Sequence, residues 1–321
     1  MSSESPRGRL APSPTGALHL GNARSFLLAW LDIRSRGGRV ILRMEDLDGP
    51  RVKAGAAEQA CQDLAWLGLD WDEGPLVQSG RLPLHEEALA RLTEKKLAYP
   101  CVCTRREVEE AASAPHESGH DAGPLYPGTC RGRFAGAEAA RRESGRDPAW
   151  RLRVEPAAAV SVRDRFLGER TFRAGRELDD FVVWKKSGTP AYQLACVVDD
   201  HRMGVTDVLR GEDLLLSTAR QLLLYRAWGW EPPAFAHTPL LVGRDGRRLA
   251  KRHGDTRVAR FRHAGIAPAP LVGWLAAISG LLPPGKEALP ADLVADFALH
   301  RVPPGPVTVE LPLPFAPGVS G

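Results

Sequence analysis

Segment 9–25, RLAPSPTGALHLGNARS, gathers residue types that handle phosphate. Gly16 and Gly21 carry no side chain, which lets the backbone come close to a ligand. His19 stands just before a helical pattern, with Gly21 and Asn22 in the same turn. A helix start offers free N–H groups and the positive end of the dipole, so it favours an anion. A histidine there can donate a hydrogen bond to a phosphate as charge builds in a transition state. A second basic element, RLAKR at 248–252, follows Asp245-Gly246, and Lys251 is the one lysine in 244–252. A lysine is a compact charge on a flexible stem, able to follow a phosphate that moves. Cys101, Cys103 and Cys130 supply three thiols on one stretch. Their CxC spacing is tighter than the usual CxxC knuckle, so free buried cysteines compete with a metal site.

These residues need elements to hold them. The segment 8–13 reads as a short strand, 23–36 as a helix with Phe26, Leu27, Trp30, Leu31 and Arg34 at helical spacing, and 39–44 (RVILRM) as a buried strand. Gly37-Gly38 is a fitting helix stop. Strand, helix, strand in succession predicts a βαβ unit, a parallel sheet and a right-handed crossover. Helical patterns follow at 54–68 and 84–97, and Asp245-Gly246 predicts a hairpin ahead of a mobile basic loop. The fold class is therefore α/β, a Rossmann-like doubly wound parallel sheet. We divide the chain into a first half-fold (1–98), an inserted subdomain rich in short strands (99–189), a second half-fold (190–255), and a helical region with a Pro-rich tail (256–321). No internal repeat is visible, and the last residues are expected to be poorly ordered.

Hydrophobic residues make up 43% of the 321 and charged residues 26%, ordinary values for a globular chain with a real core. The net charge of +4 suits an anionic partner without demanding one. Most of the basic residues are arginine, which reads first as a compositional bias. The N-terminus has no apolar signal region and no run spans a membrane, so the cytoplasm is the expected location. Five cysteines, an odd number, argue for thiols or metal ligands over a disulfide frame.

The stretch APSPTGALHLGN followed by GGRVILRMEDLDGPR closely resembles the N-terminal signature of glutamyl-tRNA synthetases and their relatives, class I enzymes. HLGN takes the place of the family's first motif, with Asn22 for its final His. The run 191–230 is similar to the family's second half-fold, and RLAKR takes the place of its second, lysine-bearing motif. The resemblance implies that Arg9, Ala11 and Ser13 grip the glutamate substrate, Arg9 through the side-chain carboxylate. It places Glu45 at the α-amino group and Tyr192 and Arg210 at further glutamate positions. His19, Gly21, Asn22 and Lys251 fall at ATP positions, with His19 and Lys251 catalytic, and residues 211–214 face the adenosine. Arg248 stands for a motif lysine and Ala250 for its serine, which implies altered loop closure. His201 is expected to be structural.

YPCVCTRREV with LYPGTCRGR looks like the metal insert of the glutamyl-Q tRNA(Asp) synthetases. That resemblance implies one structural Zn²⁺ on Cys101, Cys103, Tyr126 and Cys130. Water, His116 or His120 remain open as the fourth ligand. About seventy residues follow Lys251, fewer than the helical anticodon-reading domain of a glutamyl-tRNA synthetase needs. The resemblance then implies activation of L-glutamate with ATP and Mg²⁺ without tRNA, and transfer to queuosine at the wobble position of tRNA(Asp). The partner would be the anticodon stem-loop, read by shape, phosphates and a splayed base; no membrane partner is expected, and the chain is expected to be a monomer. Two alternatives stay open: a short glutamyl-tRNA synthetase charging the tRNA 3′ end, and a non-catalytic zinc-bearing RNA-binding paralogue.

Overall fold

The computed structural model describes residues 5–111, 125–249, 256–311, 313 and 315. The chain opens with β1 (Arg7–Leu10), α1 (Leu20–Arg34) and β2 (Arg39–Met44). All of β2 beyond Arg39 is buried, as its apolar run requires. The two strands pair in parallel, Arg7 opposite Arg39 through Leu10 opposite Leu42. Past α1 the backbone reverses at Gly37, whose φ of 64° suits glycine. Next come α2 (Ala56–Trp66), β3 (Glu73–Val77), parallel to β2, and α3 (Leu82–Glu94).

The middle of the chain carries β4 (Ala98–Cys101), α4 (Arg105–Ala111), α5 (Ala137–Ser144), β5 (Ala149–Leu152), β6 (Ala159–Asp164), β7 (Gly168–Arg173) and β8 (Val182–Trp184). A second strand–helix pattern follows: α6 (Tyr192–Arg202), β9 (Asp207–Gly211), α7 (Leu215–Trp228) and β10 (Ala234–Thr238). β9 and β10 pair in parallel, and β6 lies along the other edge of β10 with Asp164 opposite Phe235. The stretch 99–189 is thus not one separate body in its pairing. β4, β5 and β8 form their own antiparallel sheet, while the β6–β7 hairpin extends the second half-fold. Burial explains the split. Val160 and Val162 of β6 pack with Leu178 and with Ala219 of α7, an apolar face the hairpin could not leave in water.

Thr206 N–H donates to the Arg7 carbonyl at 2.9 Å, and Arg7 N–H donates to Thr206 Oγ1 at 2.8 Å. The starts of β1 and β9 therefore lie side by side. The two sheets, one parallel and one parallel apart from the β6–β7 hairpin, meet edge to edge, β3-β2-β1 against β9-β10-β6-β7. In open α/β sheets, ligands bind beyond the carboxyl ends of the strands where the strand order turns, which here is the β1/β9 junction.

The last part holds β11 (Leu241–Val242), α8 (Val258–His263), α9 (Pro268–Ile278), α10 (Pro290–Leu293) and β12 (Val307–Thr308). β12 pairs in parallel with β11, so the Pro-rich tail returns to the second half-fold before its described part ends. Leu27, Leu28 and Leu31 of α1 share the main core with Leu42 of β2 and with Leu271 and Leu275 of α9. A Cβ at Gly273 of α9 would strike the Lys286 carbonyl oxygen, so only glycine allows this approach. Among the described residues, no helix is long and apolar enough to cross a membrane.

Candidate active site

The β1/β9 junction brings several of the singled-out residues together. Arg9 lies on β1, Glu45 follows β2, Tyr192 is the first residue of α6 and Arg210 lies on β9. Arg210, Glu45 and Arg9 all lie within electrostatic reach of the Tyr192 hydroxyl. Arg9, Glu45 and Arg210 are buried, whereas Tyr192 keeps 37% of its surface exposed and so marks the open side. The loop leaving β1 holds Ala11, half-buried, and Ser13, exposed. Its Pro12 carbonyl accepts the Glu45 N–H at 3.0 Å, which joins the two loops.

Beneath these residues lies a buried charge network that the sequence motifs did not reveal. Arg43, completely buried, donates from Nη1 to Asp200 Oδ1 at 2.6 Å and from Nη2 to Glu45 Oε1 at 2.9 Å. Arg9 Nε lies 3.5 Å from the same Asp200 oxygen. Burial disfavours the charge on Asp200, but Arg43 and then Arg9 outweigh it and hold the carboxyl below its ordinary value. Asp200 likewise holds the Arg9 guanidinium above its ordinary value against burial. Cys196 sits in the same network, where burial first and the Asp200 charge second push its thiol up to about 12. Tyr192, Cys196 and Asp200 recur every four residues and so share one face of α6. That spacing, and an arginine inside the apolar run RVILRM, were the signals available in the sequence.

Arg210 is held from below by neutral partners. Its Nε donates to His237 Nε2 at 3.1 Å, and its Nη2 to Thr218 Oγ1 at 2.6 Å and Gln221 Oε1 at 2.7 Å. Its Nη1 reaches the Tyr192 hydroxyl at 3.4 Å. Register explains the contact with His237, which faces Arg210 across the β9–β10 pair.

In the segment expected to meet phosphate, His19 occupies the N-cap position of α1, and its Nδ1 lies 2.9 Å from Thr256 Oγ1. Leu20 N–H donates to the Thr256 carbonyl at 2.9 Å, and Val258 N–H to the Leu18 carbonyl at 2.8 Å. A Cβ at Gly16 or Gly21 would meet nothing within 4 Å, so protein packing does not demand glycine at either position. Asn22 is exposed on the first turn of α1. Lys251 and Ala250 lie outside the described residues, as do His116 and His120. Both flanks of the lysine segment are described. Thr256 is tied to His19 as above. On the other side, Gly243 N–H donates to the Arg247 carbonyl at 2.9 Å across the Asp245-Gly246 turn, the hairpin predicted there. Arg248 Nη1 donates to Asp213 Oδ2 at 2.7 Å, which links that flank to the 3₁₀ turn Glu212–Leu214 after β9. His201 is away from all of this, stacked on Trp230 with ring centroids 3.8 Å apart.

The three thiols converge in the antiparallel sheet region. The Sγ atoms of Cys101, Cys103 and Cys130 all lie within 4.8 Å of one another, Cys103 and Cys130 at 3.4 Å. The Tyr126 hydroxyl lies 3.4 Å from Cys101 Sγ and 3.7 Å from Cys103 Sγ, and it accepts the Cys130 N–H at 2.8 Å. A tetrahedral ion with S–metal bonds of about 2.3 Å and one oxygen at about 2.0 Å needs S···S near 3.8 Å and S···O near 3.5 Å. The donor set fits such an ion. Arg151 lies over the Tyr126 ring, 3.7 Å from its centroid, and donates to Cys101 Sγ at 3.3 Å, supplying positive charge beside the thiols. Burial opposes a Cys130 thiolate, but the Val102 N–H and the Tyr126 hydroxyl lower its pKa overall. The local core is small, built on Tyr99, Val102, Val108, Phe134 and Ala140 around these residues, so a metal would be a useful staple.

The family model for tRNA synthetases class I (E and Q), catalytic domain, matches residues 6–289. A glutamyl-Q tRNA(Asp) synthetase of Symbiobacterium thermophilum is 50% identical over 310 residues, 94% of this chain and 95% of that protein. A glutamate–tRNA ligase 2 of Syntrophus aciditrophicus is 42% identical over 94% of this chain but only 63% of its own length. A crystal structure of a glutamate tRNA ligase from Elizabethkingia meningosepticum, in complex with its amino acid, superposes with a TM-score of 0.80 at 28% identity, over 95% of this chain and 67% of that one.

Proposed function

We propose that this chain, which belongs to the family of class I tRNA synthetase catalytic domains of the glutamate and glutamine type, activates L-glutamate with ATP and passes the glutamyl group to queuosine in tRNA(Asp). The observation that carries the reading is the set of charges at the β1/β9 junction: two buried guanidiniums, Arg9 and Arg210, and one buried carboxylate, Glu45, around the open edge of Tyr192. Glutamate carries the complementary set, two carboxylates and one ammonium. A neutral side-chain amide would leave one guanidinium without its anion, which is how such a site prefers Glu over Gln.

The chemistry follows in two steps. A glutamate α-carboxylate oxygen attacks the ATP α-phosphorus, and the bond from that phosphorus to the pyrophosphate oxygen breaks. His19 at the start of α1 and Lys251, two residues beyond Leu249 in sequence, stabilise the charge that builds on the phosphates. The bare backbone at Gly16 and Gly21 gives the nucleotide, with its Mg²⁺, room to approach. A cyclopentene hydroxyl of queuosine then attacks the activated carbonyl, an ester forms, the hydroxyl proton is lost and AMP leaves. In this reading the catalytic core is a Rossmann-like doubly wound sheet, and Cys101, Cys103, Cys130 and Tyr126 hold one structural zinc that fixes the small antiparallel lobe on its side. The acceptor would be the anticodon stem-loop at the wobble position. The 50% identity to a glutamyl-Q tRNA(Asp) synthetase over 94% of this chain supports that acceptor.

ATP–pyrophosphate exchange driven by glutamate without tRNA tests the first step, and no exchange would sink it. Labelled glutamate offered with queuosine-bearing tRNA(Asp) and, separately, tRNA(Glu) tests the second. Label on tRNA(Glu) alone would overturn the proposed acceptor.

A further inference from the structure

Arg210 differs from Arg43 in what surrounds it. Arg43 is neutralised by two carboxylates in direct contact. The acceptors found for Arg210 are His237, Thr218, Gln221 and Tyr192, all uncharged groups. His237 Nε2 can accept from Arg210 only when it carries no proton. The other ring nitrogen explains why it does not. His237 Nδ1 lies 2.6 Å from Asp164 Oδ2, and the His237 backbone N–H donates to Asp164 Oδ1 at 3.1 Å. Asp164 also accepts the N–H groups of Phe166 and Leu167 at 2.9 and 2.8 Å, so it is held as an acceptor-only carboxylate. The imidazole proton must then sit on Nδ1. Burial and the nearby Arg210 charge push His237 down to about 4, so the ring is neutral in ordinary buffers. His237 is fully buried and Asp164 nearly so.

We propose that Asp164 and His237 form a positioning pair that fixes the imidazole tautomer and thereby orients Arg210 toward the carboxylate of the bound amino acid. The inference rests on the reading of Arg210 as a glutamate-binding residue. Its physical sense lies in the spacer. A carboxylate placed directly on Arg210 would compete with the substrate for the guanidinium, as any ion pair does. One imidazole between them transmits orientation while leaving the Arg210 charge available. With Nε and Nη2 occupied, the Nη1 edge beside Tyr192 is the edge presented to substrate. Asp164 comes from the β6–β7 hairpin, so this strand of the expected insert serves the pocket of the second half-fold.

The test is ATP–pyrophosphate exchange with KM measured separately for glutamate and ATP in Asp164→Asn, His237→Phe and His237→Gln. In Asp164→Asn the new side-chain amide would donate to Nδ1 and move the ring proton to Nε2, setting two donors against each other. Asp164→Asn and His237→Phe should raise the glutamate KM about 10- to 100-fold, the range for a hydrogen bond to a charged group, with the ATP KM within about twofold. His237→Gln returns an acceptor near the Nε2 position and should recover to within about threefold of the parent. An unchanged glutamate KM, a parallel rise in the ATP KM, or a Gln variant as poor as Phe would overturn the proposal. Should the variants fail to fold, the imidazole ¹⁵N spectrum of the parent protein decides: protonated Nδ1 with bare Nε2 is expected for His237, and the reverse tautomer or an imidazolium overturns the pair. Absence of glutamate-driven exchange in the parent protein would sink the underlying reading of the site instead, and is told apart because it needs no variant.

Discussion

Replacing Arg43 by Met removes one guanidinium and keeps an unbranched apolar stem. Arg43 is completely buried, 2.6 Å from Asp200 and 2.9 Å from Glu45. The variant leaves two buried carboxylates with Arg9, 3.5 Å from Asp200, and the weaker influence of Arg210 as nearby positive charge. Breaking a buried pair from one side costs about 3–5 kcal/mol, and the retained Arg9 puts the expected loss near the lower end, about 3 kcal/mol. In the parent protein, Arg43 and Arg9 outweigh burial and hold the folded-state Asp200 below its ordinary value. Asp200 therefore contributes stability that is present above the ordinary carboxylate pKa and lost as pH falls through the lower folded value. Without Arg43, burial prevails, and the carboxylate becomes a penalty near neutral pH that protonation relieves. The gap between parent and variant should be widest near pH 7 and should narrow as pH falls toward about 4. Urea unfolding followed by tryptophan fluorescence at a series of pH values measures it. A variant within about 0.5 kcal/mol of the parent at pH 7, or a gap that widens on acidification, would refute the reasoning.

Lys251→Ala should lower the exchange rate on the order of 100-fold with an unchanged circular dichroism spectrum, since it removes one charge from the phosphates; unchanged exchange removes Lys251 from the mechanism. Strong chelation should release one zinc per chain and lower the melting temperature, and Cys130→Ser should do the same without chelator, whereas Tyr126→Phe should retain zinc with weaker affinity. Metal analysis and calorimetry read all three, and full zinc content in Cys130→Ser would exclude that thiol as a ligand. His237 is held down to about 4 in the folded state against an ordinary value of 6.5. The unfolded chain binds that proton first, so stability should fall by up to about 3 kcal/mol as pH drops from 6.5 to 4. His237→Gln should lack this part of the slope, and an identical slope in parent and variant would contradict a buried neutral ring.

What the sequence by itself determined is the part carried by local spacing. The apolar run RVILRM with the helical run before it set β1, α1 and β2, because burial periodicity is written within a few residues. The same holds for the Asp245-Gly246 hairpin and for the convergence of Cys101 with Cys103. Spacing singled out His19 before its helix, whereas Arg9, Glu45, Tyr192 and Arg210 were named by the resemblance of their stretches to the glutamyl-tRNA synthetase signature. Tertiary structure decided which of them meet and what holds them. Arg43 and Asp200 are 157 residues apart, and Asp164 and His237 are 73 apart. A charge inside an apolar strand announces that a partner must exist, since an unpaired buried charge is too costly, but its spacing does not say which of 39 acids that partner is. The β6–β7 hairpin is the same case for strands. Its pattern predicted short strands, while the choice of β10 as neighbour came from where α7 could cover Val160 and Val162. That choice brings Asp164 to His237, and through it to Arg210, an arginine whose own stretch of sequence names none of these partners.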